Sequence, residues 1–162
     1  MQRREKINYY LDIAETVSER STCLRKNYGA VIVKNDTIIS TGYAGAPRGR
    51  KNCCDVGTCL REKYSVPSGE RYELCRSVHA EANAIIAVSR DEMLDSTLYL
   101  ACRDPRDGTL VAGTSPCSMC RRMIINAGIC IVVVRDTKEK YRTFSVADWV
   151  ENDDSLELHR GY

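Results

Sequence analysis

Apolar positions recur at two spacings along this chain, and the switches between them mark out its elements. Ile7, Tyr10, Leu11, Ala14 and Val17 repeat at helical intervals, which predicts an amphipathic helix near residues 3–19. Two β-branched runs follow, at 29–34 and 37–41, and Asn35-Asp36 between them marks a hairpin. Residues 42–76 lose all periodicity. They hold Gly42, Gly45, Pro47, Gly49, Gly57, Pro67 and Gly69 together with four cysteines, and so long an irregular insert needs its own source of order. Patterning resumes with an Ala-rich helix over 78–90 and a strand over 97–102. Asp104-Pro105 and Asp107-Gly108 mark a turn before Leu110-Val111, a small hairpin. Pro116 opens a helix that Gly128 stops, and 129–134 is a continuous apolar strand of the kind buried on both faces. Ser145 with Asp148 reads as a capping box for a last short helix, and 156–159 as an edge strand. Strands alternating with helices predict an α/β layered domain, a mixed sheet covered by helices, over residues 1–162.

Length and charge narrow the classes. A chain of 162 residues has room for one core. A net charge of +2 gives no general reason to expect nucleic acid or membrane as partner. No apolar run reaches the roughly 18 residues of a spanning helix. The start, MQRREKINYY, is basic but has no apolar core, so no signal peptide is expected. The nine cysteines change the picture more. An odd number with no sign of secretion argues against a disulfide framework and for metal in a reducing, cytoplasmic setting.

Two segments carry the chemistry: His79-Ala80-Glu81 and Pro116-Cys117-Ser118-Met119-Cys120. Cys117 and Cys120, three apart, share one helix face and can grip one ion. Pro116 leaves free N–H groups at the helix start, and their field favours the thiolate that binds metal. His79 supplies a third ligand. Three protein ligands leave a fourth tetrahedral position for water, the arrangement of a catalytic rather than a structural zinc. Glu81 is then a proton carrier: at a helix entrance it can face the same pocket as His79. The H-x-E…P-C-x-x-C pattern is itself the signature of zinc-dependent base deaminases. In the insert, Cys53, Cys54, Cys59 and Cys75, with Cys23 upstream, offer thiolates for a second, structural zinc, though no C-x-x-C pair marks it; the alternative is a set of scattered free thiols. Cys102 and Cys130 fall in apolar strand patterns and read as small buried hydrophobes. His159, near the C-terminus, reads as exposed. Arg48, beside Arg50 and Lys51, could meet a substrate phosphate or simply face solvent or another subunit.

With these residues in hand, the chain resembles the cytidine and deoxycytidylate deaminase superfamily, and its deoxycytidylate branch most closely. The likeness spans about residues 5–135. It rests on Ser21-Thr22-Cys23 with Tyr28-Gly29-Ala30, on Gly42-Tyr43-Ala44-Gly45, on Asn52-Cys53-Cys54-Asp55, and on the HAE and PCxxC segments. The resemblance implies a three-layer α/β/α fold with a five-stranded mixed sheet. It implies zinc on His79, Cys117 and Cys120, with Glu81 as proton shuttle. It maps a second zinc onto Cys23, Cys53, Cys59 and Cys75, leaving Cys54 spare. It implies a small-molecule nucleotide substrate, with Tyr43 and Arg48 as candidate contacts, a homo-oligomer that is often a hexamer, and a response to dCTP and dTTP with magnesium. Two departures stand out. The family's Gly-Tyr-Asn-Gly loop here has Ala44 in place of the amide, and the stretch from Arg103 to Ser115 is longer than usual. The expected reaction is hydrolysis of dCMP to dUMP and ammonia. The alternatives are deamination of tRNA adenosine or single-stranded DNA, against which the low net charge speaks, and a zinc-stabilised module without activity, against which Glu81 speaks.

Overall fold

A computed structural model describes residues 1–156. Helix α1 (Lys6–Ser18) starts where the Glu5 carboxylate accepts from the amides of Ile7 and Asn8. A hairpin of β1 (Asn27–Lys34) and β2 (Thr37–Tyr43) follows, and both of its turn residues, Asn35 and Asp36, have positive φ, as a two-residue turn matched to strand twist requires. After the insert come α4 (Ala80–Ile86), α5 (Arg90–Met93), β3 (Thr97–Arg103), α6 (Ser118–Ala127), β4 (Ile131–Arg135), β5 (Tyr141–Ser145) and α7 (Val146–Glu151). The insert itself contains α2 (Cys53–Val56), α3 (Leu60–Lys63) and a 3₁₀ turn at Tyr72–Leu74.

The sheet order is β2-β1-β3-β4-β5. Only β3 and β4 are parallel, joined by the crossover through α6; the other neighbours are antiparallel. Alternation along the strands divides the core in two. Val31, Val33, Tyr99, Ala101 and Val133 face Tyr10, Leu11 and Ala14 of α1. Ala30, Ile32, Leu98, Leu100, Val132 and Val134 face Ala80 and Ala84 of α4, Ile124 and Ala127 of α6, and Val146 of α7. The fold is therefore the expected helix–sheet–helix sandwich on a five-stranded mixed sheet. Two glycines set how closely the layers meet. A Cβ at Gly29 would stand 2.1 Å from the Ala14 carbonyl oxygen of α1, and one at Gly42 would stand 2.4 Å from both the Ala80 oxygen and the Ala84 nitrogen of α4. The helix that carries Glu81 thus lies directly on β2.

Several expectations are corrected. The helix over 78–90 begins at Ala80, with His79 as its extended N-cap, and ends at Ile86. Ser89 then opens α5 with a capping box to Glu92, and that local hydrogen bonding competes with continuing the helix. The fifth strand is Tyr141–Ser145, paired with β4 from Arg135↔Tyr141 to Ile131↔Ser145. It is not 156–159: Leu156 lies in a 3₁₀ turn, and residues 157–159, with His159, lie outside the described residues. Ser145 precedes α7 but makes no side-chain cap bond, because it is held as the last residue of β5. Cys102 is fully buried as expected, whereas Cys130 is exposed, since β4 begins one residue after it. Leu110 makes a single bridge to Arg103 rather than a hairpin. The long 103–115 stretch is pinned to the β4–β5 turn, where Gly113 N–H donates to Asp136 (2.8 Å) and Arg142 donates to the Thr114 carbonyl. It hands the chain to Pro116 at the mouth of α6.

Candidate metal centre and its cavity

Two helix starts converge on one side of the sheet. His79 caps α4, and Cys117 caps α6 with its sulfur accepting from the Cys120 amide (3.4 Å). Because Cys117 is the cap itself, its thiol stands against the unpaired N–H groups of the first turn, where negative charge is favoured. His79 Nδ1 lies 3.5 Å from Cys117 Sγ and 3.4 Å from Cys120 Sγ, and the three donor atoms all fall within 4.8 Å of one another. A nitrogen and a sulfur sharing one tetrahedral zinc sit about 3.5 Å apart, given the usual bond lengths. The donor set therefore fits that ion in both chemistry and spacing. Among the described residues no fourth His, Cys, Asp or Glu joins the group, which leaves one tetrahedral position without a protein ligand.

The electrostatics follow from the same contacts. The hydrogen bond from Cys120, with those of His79 and the Cys120 amide, holds the Cys117 thiol down at about 4 against the opposing effect of burial. Beside that thiolate the buried Cys120 thiol is pushed up. Burial alone would lower His79, but the bonds to Cys117 and Cys75 dominate and raise it to about 10. The metal-free centre is thus an imidazolium–thiolate pair with one thiol. Glu81, in the first turn of α4, is 4% exposed, and burial pushes its carboxyl up from the ordinary 4.5.

His79, Glu81 and Cys117 line one cavity of about 140 Å³, which also takes in Tyr28, Tyr72 and Ser115. Tyr72 meets the His79 ring edge-on, with centroids 4.9 Å apart at 87°. The Arg61 guanidinium lies 4.5 Å over the Tyr72 ring and donates to the carbonyls of Glu70 and Pro67 (both 3.0 Å). Much of the insert's order therefore comes from this one arginine, 6% exposed, rather than from thiols alone.

Cys23, Cys53, Cys59 and Cys75 line the same cavity. No three of them close to within 4.8 Å of one another among the described residues, so the structure brings them to one wall without forming a coordination sphere. Burial, together with the other three thiols, raises Cys53. Cys54 is exposed and stands outside the lining. Tyr43 and Arg48 do not line the cavity either. Tyr43 ends β2, where its carbonyl accepts from the Asn83 amide (2.8 Å), and Arg48 is exposed. The basic lining comes instead from Arg25, Lys26, Arg61 and Arg76, which sequence reasoning passed over. The signal for them was their position, within three residues of Cys23, Cys59 or Cys75.

Residues 4–136 match the family described as the cytidine and deoxycytidylate deaminase zinc-binding region. The chain is 36% identical over 134 residues to the deoxycytidylate deaminase of Mycobacterium phage D29, a match that covers 80% of this chain and 93% of that one. It is 31% identical over 126 residues to the deoxycytidylate deaminase of Schizosaccharomyces pombe, covering 78% of this chain but only 35% of the yeast protein. The chain thus spans about a third of that relative and nearly all of the phage one. The fold superposes on the dCMP deaminase of cyanophage S-TIM5 in complex with dCMP and dUMP, with a TM-score of 0.60 and 25% identity over 98% of this chain and 96% of that one. No helix among the described residues is long and apolar enough to cross a membrane.

Proposed function

Because the chain belongs to the cytidine and deoxycytidylate deaminase family, we propose that it is a zinc enzyme that hydrolyses dCMP to dUMP and ammonia. One observation carries the reading: His79, Cys117 and Cys120 converge as a three-donor site on a cavity walled by a buried Glu81. These three side chains would hold zinc, which supplies the Lewis acidity that makes a water nucleophilic near neutral pH. The rest falls to the protein. Glu81 takes the proton that water sheds as it adds to C4 of the cytosine ring and delivers it to ring N3. It then takes a second proton, from the hydroxyl now on C4, and gives it to the amine, which leaves as ammonia while the C4 carbonyl forms. One water is consumed and one ammonia released, so the carboxylate ends as it began. The burial that raises its pKa suits a group that must both take and give a proton near neutrality. Relatives named as deoxycytidylate deaminases, and a neighbour bound to dCMP and dUMP, support the nucleotide as substrate.

The test is a substrate panel. With zinc, dCMP should lose cytosine absorbance and release one equivalent of ammonia, with cytidine and tRNA much poorer substrates. Turnover of tRNA or single-stranded DNA without turnover of dCMP overturns the reading.

The proposal includes a second zinc on Cys23, Cys53, Cys59 and Cys75, supported by their sharing one wall, and it requires their loops to draw in when the ion binds. Metal analysis is expected to return two zinc ions per chain, falling to one in Cys53→Ser. One ion in the unaltered protein removes this site. Magnesium would arrive with a nucleotide's phosphates, because no other cluster of three acidic or metal-ligating side chains forms among the described residues. A homo-oligomer belongs to the same reading: Ile86, 75% exposed, sits next to Ile85, which borders an open groove with Met119 and Met123. A cytoplasmic setting belongs to the same reading, since thiolates that hold zinc must stay reduced.

A further inference from the structure

The cavity is lopsided in charge. Its lining includes Arg25, Lys26, Arg61 and Arg76 but only one acid, Glu81, and that acid stands at the proposed metal end. The four cations are not equivalent. Arg61 is committed: it donates to Glu70 and Pro67 and stacks on Tyr72. Arg25 uses Nε on Glu62 at a long 3.4 Å, and its Nη1 is buried with no partner. Arg76 gives Nη2 to the Lys51 carbonyl (2.8 Å), and its Nε is buried with no partner. Two guanidinium nitrogens on the wall of one cavity are thus buried without a protein partner, a state that protein interiors avoid unless a ligand or ordered water completes it.

We infer that Arg25 and Arg76, with Lys26, form the subsite for the 5′-monophosphate of the substrate. The chemistry matches: a guanidinium fork pairs with phosphate oxygens through parallel charge-assisted hydrogen bonds, whereas a lysine adds a point charge. The scale matches too. Arg76 is three residues before His79, so their Cα atoms lie no more than about 11 Å apart, and a nucleoside monophosphate whose base meets Glu81 carries its phosphate one sugar away. Among the described residues Glu62 is the only acid ion-paired with either arginine, and its side chain is 58% exposed, free to release Arg25 to a stronger anion. The same pair makes a nucleotide a better ligand than a nucleoside without touching the base.

This assignment rests on the deaminase reading, and one experiment separates the two. Binding of dUMP and of deoxyuridine to the zinc-loaded protein is measured by calorimetry for the wild type, for Arg25→Gln, for Arg76→Gln, for the double variant and for Arg25→Lys. The wild type should prefer dUMP. Each glutamine should weaken dUMP by about 10- to 100-fold, the loss expected for a hydrogen bond to a charged group, and should leave deoxyuridine unchanged. Arg25→Lys, which keeps the charge but not the fork, should fall between. If the wild type does not distinguish the two ligands, the nucleotide reading fails and the subsite with it. If it prefers dUMP and the double variant keeps that preference, the arginine assignment alone is wrong. An equal loss of both ligands also overturns it, since that marks a general disturbance of the cavity.

Discussion

Glu81→Gln is expected to lower turnover by about two to four orders of magnitude, the usual contribution of a positioned proton carrier, while the zinc content stays at the wild-type level. The amide has the volume of the carboxyl and can fill the same site in the first turn of α4, but it cannot accept a proton at neutral pH. His79, Cys117 and Cys120 keep their positions because α4 is held on β2 at Gly42 and α6 by its own cap. The variant also separates chemistry from folding. A buried carboxyl whose pKa is raised in the folded state ionises more easily when unfolded. Stability is therefore lost as pH rises from the ordinary 4.5 towards the folded value, and the loss persists above it. Replacing that acid with a neutral amide should then raise the melting temperature of the metal-free protein at pH 7. Lower activity with higher stability is a combination that simple damage to the fold does not produce. Turnover within tenfold of the wild type would show that some other group moves the proton.

How much of this was readable from residue order depends on how local each cause is. The donor set was legible because His79-Ala80-Glu81 and Pro116–Cys120 are each a few residues long and their geometry comes from helix starts. The Asn35-Asp36 hairpin was legible for the same reason. Strand β5 was not: Tyr141 to Ser145 is polar, partly exposed and only five residues long, and it becomes a strand because β4 offers an open edge. The break after Ile86 depends on one hydroxyl, Ser89, winning its capping bond over helix continuation. Arg61 shows the limit most plainly. In the sequence it is one charge in a charged stretch, yet the fold buries it, because the carbonyls of Pro67 and Glu70 and the ring of Tyr72 arrive around it. Arg25 and Arg76 were hidden in the same way. Arg48, which the sequence sets among glycines and other cations, lies in an exposed turn outside the cavity lining.

Zinc uptake at the three-donor site should release close to two protons between about pH 5 and pH 6, below the range in which a zinc-bound water ionises, so the apparent affinity there rises about 100-fold for each pH unit. The count comes from the metal-free centre. Cys117, held near 4, is already a thiolate throughout this range. His79, raised to about 10, carries its proton there too, and the elevated Cys120 remains a thiol. Zinc takes neutral imidazole and thiolate, so His79 and Cys120 each give up one proton and Cys117 none. The same three residues with ordinary pKa values would behave differently. They would release nearly three protons at pH 5, when the histidine is also charged, and far fewer by pH 9, when the thiols have ionised unaided. Calorimetry in buffers of different ionisation enthalpy gives the proton count at each pH. Subtracting the count from a variant without the three donors, His79→Gln with Cys117→Ser and Cys120→Ser, removes the contribution of the insert thiols. A value near two at pH 5 to 6 is the mark of the imidazolium–thiolate pair that the two converging helix starts create. A count near three there would mean that His79 and Cys117 do not hold each other charged before the metal arrives.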